Sequence, residues 1–525
     1  MTLPLLGIAA IVALAAWLPA AGTWRDAALA GLVLLVAGLG LQFNITDDAY
    51  ISLRYARNFA EGRGLVFNAG ERVEGYTCFL WVLLLGWLKR MGAAPDLVSA
   101  SRLAGVVSAI GALFVLHRMR RSSAAAPRAG GFNSIVLAGA YFPLVYWSFS
   151  GMETGLYLLV WLLGAAFFCA YLRGEGGAGA AGWSGVFLVL AMMTRPETYL
   201  LVPVHVALIW ARERRPAPRS LFAFGAPILF VFLPYFAWRW SYYGYPFPNT
   251  YYAKVGVPSA GLLVYGAKYL GLGLVAHGFF LVIVAARLWR QRFRLDLVSG
   301  YYLLLLLTQF AVIIYTGADH FSAWRYFVYV WPWLLLLGAD DLERAVREVG
   351  RAGASRGAVA AFLVLVQAGA VFWFDGRGPK VTLESGPNLA AKWADLGRWL
   401  QQNTKEGDAV ATPVIGAIGY YCERPIVDMC GLADEVIGHT LRHPGRGPKD
   451  HERFNSEYLM SRRPAWIYLG GPHASEEAFL QEKHWLPAIE DLKRFLPDPA
   501  YEYTVLKGPR FSYALYRRVS DGVPP

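Results

Sequence analysis

Charge is scarce in this chain. Asp, Glu, Lys and Arg make up 16% of its 525 residues, against about a quarter in soluble domains. Such a composition does not clothe the two to four soluble domains that this length would otherwise imply. Cysteine is scarce too, and four residues supply no disulfide framework. Cys78 and Cys169 fall at the start of, or within, apolar runs and read as packing residues. Cys422 and Cys430 share a polar C-terminal segment, where a disulfide in an oxidising compartment and two free thiols both remain open. The chain has no tight His/Cys metal spacing, no Walker A sequence and no dinucleotide-binding glycine fingerprint. Those absences point away from zinc chemistry and from bound nucleotides.

Apolar residues are what the chain has in excess: 56% of the total, with a mean hydropathy of +0.37. They gather in runs at residues 3–21, 27–43, 97–116, 221–238, 295–315 and 357–374, each near the ~20 residues that span a bilayer as a helix. The first run lacks the basic leader of a cleaved signal peptide. A polytopic α-helical membrane protein is therefore expected. The net charge of +12 is dispersed over four arginine clusters, at 118–128, 212–219, 287–294 and 344–356. Four basic loops between apolar runs fit the positive-inside rule and read as cytoplasmic. A nucleic-acid binder would gather its charge on one face, so no nucleic-acid partner is expected.

This orientation puts residues 44–76, 151–154, 241–258, 317–324 and everything after about 375 outside. Two apolar stretches, 77–88 and 97–116, then lie where an odd number of crossings is needed. The first is short and reads as re-entrant or interfacial. The run 183–210 is broken by Thr194-Arg195-Pro196-Glu197 and reads as two short helices. About twelve crossings result. The division is 1–375 for the transmembrane domain and 376–525 for an extracytoplasmic α/β domain. In the latter, helices are expected at 389–402 and 476–495, and strands at 408–412, 465–469, 501–506 and 511–517.

Polar residues near the membrane concentrate on the outer side. The loop 44–76 carries Asp47, Asp48, Tyr50 and Arg54. Two adjacent carboxylates at a helix start can simply suit the macrodipole behind Thr46 as N-cap. The same pair can bind a divalent cation, or one of them can act as a general base. Glu153 lies in the next outer turn, Arg195 and Glu197 in another, and Asp319, His320 and Arg325 in a third, while 246–254 adds Asn249, Tyr251 and Lys254. Ionisable groups at membrane depth usually mark a functional cavity. Arginine binds phosphate oxygens bidentately, which makes Arg54, Arg195 and Arg325 candidate phosphate ligands. The plainer readings are a snorkelling Arg325, a structural Arg195–Glu197 pair and a hydrogen-bonding loop role for His320.

These motifs carry a resemblance. Asp47-Asp48-Ala-Tyr-Ile-Ser-Leu-Arg54, Gly64-Leu-Val-Phe-Asn68, Gly151-Met-Glu153, Thr194-Arg195-Pro-Glu197, Pro248-Asn249-Thr-Tyr-Tyr-Ala-Lys254, Gly317-Ala-Asp319 with Arg325, and Gly416-Ala-Ile-Gly-Tyr-Tyr with Asp428–Asp434 together resemble the GT-C glycosyltransferases. Within that class they are similar to the family of the mycobacterial terminal arabinofuranosyltransferase and its bacterial relatives. The likeness runs from about residue 40 to about residue 440. It implies a GT-C fold in a bacterial plasma membrane, with the active site and C-terminal domain extracytoplasmic. It implies a sugar donor on a polyprenyl phosphate, arabinofuranose first among the sugars, and a glycan, lipid or protein acceptor. Asp47, Asp48 and Glu153 would be catalytic. Tyr50, Arg54, Arg195, Glu197, Asn249, Tyr251, Lys254, Asp319, His320 and Arg325 would bind substrate. Ala318 and His320 depart from the Gly and Phe common in relatives, and the chain is shorter than the mycobacterial enzymes. A hexose or aminoarabinose transferase is the alternative within the class. A lipid-linked sugar transporter is the alternative outside it, although transporters place charge at the midplane of inverted repeats and no repeat is evident here.

Overall fold

A computed structural model describes residues 24–41, 45–122, 134–213, 218–256, 259–318, 321–351, 355–375, 386–440, 451–471, 475–496, 498–508 and 512–519. The apolar run 3–21, together with Asp319 and His320, lies outside the described residues. The chain packs as two compact units: 1–43, 101–236 and 262–385 form the first, and 44–100, 237–261 and 386–525 the second. The units are thus drawn differently from a single boundary at 375/376, because two earlier segments cluster with the C-terminal one.

Six described helices are long and apolar enough to cross a membrane: Trp24–Leu41, Leu97–Arg121, Thr154–Arg173, Pro218–Tyr243, Leu297–Thr316 and Gly357–Phe374. A seventh span arises if Ala260–Ala276 and Gly278–Arg290, bent by 84°, are taken together. This is fewer than the twelve crossings expected, and the causes are local. Residues 135–149 form two short helices, Ile135–Gly139 and Phe142–Phe149, the second with proline in its first turn. Arg195-Pro196 splits the run 183–210 into Gly177–Met192, a short 3₁₀ turn Pro196–Leu200 and Leu201–Glu213, as proline's missing donor favours. Phe327–Arg351 begins apolar but carries Asp340, Asp341, Glu343 and Arg344 in its second half.

Large apolar side chains lie exposed on these helices, among them Phe230, Val264, Val282, Phe362 and Trp373. Contiguous apolar surface of this kind is rare on soluble monomers and natural against lipid. Between helices the packing rests on small residues. A Cβ on Gly155 would meet the Gly105 carbonyl oxygen at 2.4 Å, and one on Gly185 the Phe224 carbonyl oxygen at 2.2 Å, so backbones touch there as in membrane bundles.

In the second unit, Asp47–Ala60 packs against Phe79–Arg90, with Phe59 edge-on to Trp87 at 5.8 Å. At 12 residues, Phe79–Arg90 is too short to cross a bilayer. The C-terminal segment builds a five-stranded mixed sheet in the order β2-β1-β3-β5-β4. Its strands are β1 (Val410–Thr412), β2 (Ile426–Asp428), β3 (Trp466–Tyr468), β4 (Tyr501–Lys507) and β5 (Ser512–Arg518). β1 runs parallel to β2 and β3, while β5 is antiparallel to β3 and β4. Ala411, Val427, Ile467, Leu469, Phe479 and Ile489 are among its buried core. β2 is one strand more than the sequence suggested. The helix expected at 476–495 is two, Glu476–Gln481 and Pro487–Leu492, the second with proline at its start. All four cysteines are buried thiols outside any disulfide, so Cys422 and Cys430 are not bonded to each other.

Candidate active site

The acidic loop builds the first polar cluster, inside the second unit. Thr46 is extended and precedes Asp47–Ala60 in N-cap position, yet its side chain makes no capping bond. The Asp47 carboxylate turns instead to the start of another helix, Ala417–Cys422. There its Oδ1 accepts the Ala417 N–H at 2.8 Å and its Oδ2 the Gly416 N–H at 3.2 Å. This closeness requires glycine, because a Cβ on Gly416 would lie 2.0 Å from the Asp47 carbonyl oxygen and 2.6 Å from its carboxylate. Burial pushes the Asp47 carboxyl up to about 7. The two amide hydrogen bonds oppose that rise, and the neighbouring Asp48 adds to it. A carboxyl near 7 has the proton affinity of a general base working at neutral pH.

Asp48 has a different neighbour. Its Oδ2 lies 3.9 Å from the Lys254 ammonium, and both side chains are one-quarter exposed. An accessible acid and an accessible cation therefore stand beside the buried-side acid. Tyr50, buried, has its ring 5.5 Å from those of Tyr420 and Tyr421 and helps wall off Asp47. Among the described residues no group of three or more His, Cys, Asp or Glu is placed to hold a metal ion. Among the described residues, a divalent cation here would have Asp47 and Asp48 as its protein carboxylates.

Two expected substrate ligands have structural occupations. Arg54 is buried and donates to the carbonyls of Phe67 (2.8 Å), Arg424 (2.8 Å) and Gly419, and to Asn68 Oδ1 at 3.2 Å. Its guanidinium also lies over the Phe67 ring. Burial pulls it down to about 10, so it stays charged at neutral pH, but its donors are committed to the protein. Asn249 is likewise buried, and its Nδ2 donates to the carbonyls of Gly431, Leu432 and Asp434. Tyr251 packs among Phe247 and Tyr252. Of the residues expected to meet substrate in this unit, Asp47, Asp48 and Lys254 are brought together.

The sequence reading missed the framework behind them. Asp428 accepts the N–H groups of Cys430 (2.9 Å) and Ala433 (2.8 Å), and burial raises it to about 6. Glu74 and Arg239 form a buried ion pair. Arg239 directly follows the apolar run 221–238 and Glu74 lies in the acidic loop, so nothing local signalled the pairing.

A second cluster lies inside the first unit. Arg195 pairs with Glu153 at 3.0 Å and with Glu197 at 2.7 Å, all at or just before the starts of helical turns. Its guanidinium sits 5.3 Å from the Tyr326 ring and 5.4 Å from that of Tyr329. Two carboxylates thus share one buried arginine, and the expected Arg195–Glu197 pair extends to Glu153. Arg325 is buried against Trp147 and Phe321, at 5.4 and 5.0 Å from their rings, so it does not snorkel.

Comparison with known proteins follows the same lines. A 228-residue stretch is 32% identical to the terminal β-(1→2)-arabinofuranosyltransferase of Mycobacterium tuberculosis, covering 40% of this chain and 35% of that protein. A 259-residue stretch is 30% identical to the Corynebacterium glutamicum protein of the same name, covering 44% and 36%. The chain is a distant homologue of these arabinofuranosyltransferases. Its match spans only about a third of the length of these relatives. Residues 386–516 match a family described as a domain of unknown function, DUF8728. The archaeal oligosaccharyltransferase AglB from Archaeoglobus fulgidus, in complex with an inhibitory peptide and a dolichol-phosphate, superposes with a TM-score of 0.50 at 12% identity, over 99% of this chain and 74% of that one. That likeness is one of overall fold.

Proposed function

We propose that the protein is a membrane glycosyltransferase that moves a sugar from a polyprenyl-phosphate donor to an acceptor hydroxyl on the outer side of a bacterial plasma membrane. The sugar we propose is arabinofuranose, after the activity named for the two relatives. Dolichol-phosphate, bound in the archaeal protein of similar fold, belongs to the same chemical class as the proposed carrier. The observation that carries the reading is the meeting of Asp47 and Asp48 of the acidic loop with Lys254 of the segment 246–254. Transfer breaks the bond between anomeric carbon and phosphate oxygen and forms one to the acceptor oxygen. Polyprenyl phosphate and a proton leave. Asp47 takes the proton, as its raised proton affinity suits. Lys254 neutralises the departing phosphate, a term that is often large in transfer chemistry. Asp48 holds Lys254 and faces the positive charge that develops on the sugar.

The test is transfer of radiolabelled arabinose from polyprenylphosphoryl-arabinose by the purified protein in detergent, with Asp47→Asn alongside. Transfer by the parent and a loss of about 10²–10⁴-fold in the variant are expected, the usual worth of a general base. Full activity of Asp47→Asn would remove that residue as the base. No transfer from pentose or hexose donors would sink the glycosyltransferase reading as a whole.

A further inference from the structure

The first unit holds a cavity of about 580 Å³ that the proposed transfer leaves without a role. Its volume is in the ~300–1,000 Å³ range of small-molecule sites. It lies where Leu97–Arg121, Thr154–Arg173 and Gly278–Arg290 end, where Leu297–Thr316 begins, and along the second half of Phe327–Arg351. Thr154–Arg173 has Glu153 before one end and Arg173 in the cavity wall at the other. Its 20 residues separate the Arg195 triad from the cavity by roughly 30 Å, at 1.5 Å per residue, about the thickness of a bilayer core. The cavity therefore sits at the arginine-loop end of the helices, the cytoplasmic end by the distribution of basic residues.

Its wall is built from arginine. Arg120, Arg173, Arg287, Arg290 and Arg344 line it, drawn from four different helices. Asp296, Asp340 and Asp341 are the acids in the wall, and Glu343 and Glu175 beside it pair with Arg120 and Arg173, so the five arginines are balanced in number and what matters is which of them keep donors free. Asp296 caps its own helix by accepting the Val298 and Ser299 N–H groups. Asp340 is shared by Arg120 at 2.5 Å and Arg287 at 3.7 Å, and Arg120 also meets the buried Glu343 at 3.0 Å. Asp341 is shared by Arg290 and by Arg344, the latter at 3.5 Å. Arg290 and Arg344 thus contact one and the same carboxylate oxygen, and their side chains are 51% and 53% exposed. A guanidinium has five N–H donors, so one shared oxygen leaves most of theirs for another acceptor. Exposed Arg118, Arg121, Arg292 and Arg294 flank this end of the helices and add positive potential.

We propose that this cavity binds a phosphate-bearing anion, and that the anion is the headgroup of an acidic phospholipid in the cytoplasmic leaflet. Planar forks held in place by shared carboxylates suit phosphate oxygens, and basic pockets between membrane helices on the cytoplasmic side suit acidic lipid headgroups. The lining helices favour a lipid over a soluble phosphate, because one to two turns from the cavity they also expose Phe114, Leu304 and Leu307, apolar side chains that suit acyl chains.

The experiment is native mass spectrometry of the full chain in neutral detergent, titrated with dioleoyl phosphatidylglycerol, with the phosphatidylcholine analogue, and with inorganic phosphate. Binding of phosphatidylglycerol at least tenfold tighter than phosphatidylcholine is expected, lost about tenfold in R290Q/R344Q. Because that pair of changes strips the partners from Asp341, S122W serves as a second variant. It fills the cavity from an exposed helix end and leaves every ion pair in place, and it should block the same lipid while thermal unfolding stays unchanged. Arginine-dependent binding of inorganic phosphate without a lipid preference would keep the anion site but assign it to a soluble phosphate. Equal binding of phosphatidylglycerol by the parent, R290Q/R344Q and S122W, with no phosphate binding, would overturn the proposal.

Discussion

Arg54→Lys separates a structural arginine from a phosphate ligand. The guanidinium reaches three carbonyls and one side-chain amide oxygen at once, tying the acidic loop to the helix Ala417–Cys422 and to the bend at 424. Lysine keeps the charge but offers it as a point with no planar fork, so we count two of the four contacts as surviving. Hydrogen bonds to a charged group contribute about 1.5–3 kcal/mol each, which makes the loss of two about 3–6 kcal/mol. That is a large fraction of the 5–15 kcal/mol that holds a typical domain together. Hydrogen exchange of the amides in β1 and β2, read by mass spectrometry, should accelerate by about 10²–10⁴-fold, at tenfold per 1.4 kcal/mol. At a temperature where the variant stays folded, its KM for the lipid donor should equal the parent's. Lys254→Gln should do the reverse, leaving exchange unchanged while transfer falls. Unchanged exchange in Arg54→Lys, with donor KM raised tenfold or more, would refute the reasoning and return Arg54 to the phosphate.

Three further outcomes follow from the geometry. Gly416→Ala places a methyl 2.0 Å from the Asp47 carbonyl oxygen; an overpacking cost of about 1–3 kcal/mol and loss of transfer are expected, and a variant with parental activity and unfolding temperature would contradict the close approach. Activity should rise with pH through about 7, as Asp47 loses its proton. Stability moves the other way, since a carboxyl raised from 3.8 to about 7 in the folded chain stabilises it fully below pH about 4 and loses that contribution as pH climbs to about 7. Glu74 and Asp428 are raised into overlapping ranges, so the difference between the parent and Asp47→Asn is the informative slope, and identical pH profiles for the two would refute the assignment. In the Arg195 triad, Glu153→Gln should cost only about 1 kcal/mol, because Glu197 still neutralises the arginine. The Glu153→Gln/Glu197→Gln pair should cost about 3–5 kcal/mol, the penalty of stranding a buried charge, and additive single effects in a double-mutant cycle would rule out the shared triad.

Much about this protein was legible along the chain. Apolar runs near twenty residues announced membrane helices because lipid leaves the backbone only its own partners. Strands at 410–412, 466–468, 501–507 and 512–518 emerged nearly where alternation and turns placed them. The acidic pair at 47 and 48 stood out by its position alone. Tertiary structure decided what each of these residues does. Whether Asp47 caps its own helix or another depends on Gly416, 369 residues away, and no local pattern carries that information. Arg54 looked like a phosphate ligand because a sequence shows a charge but not the carbonyls that surround it. Arg195 is claimed by Glu197, two residues on, and by Glu153, forty-two residues before, and only the nearer partner was visible. Length and hydrophobicity are properties of a segment and survive in one dimension, whereas a hydrogen bond needs its partner within about 3 Å; the fold alone brings distant residues that close.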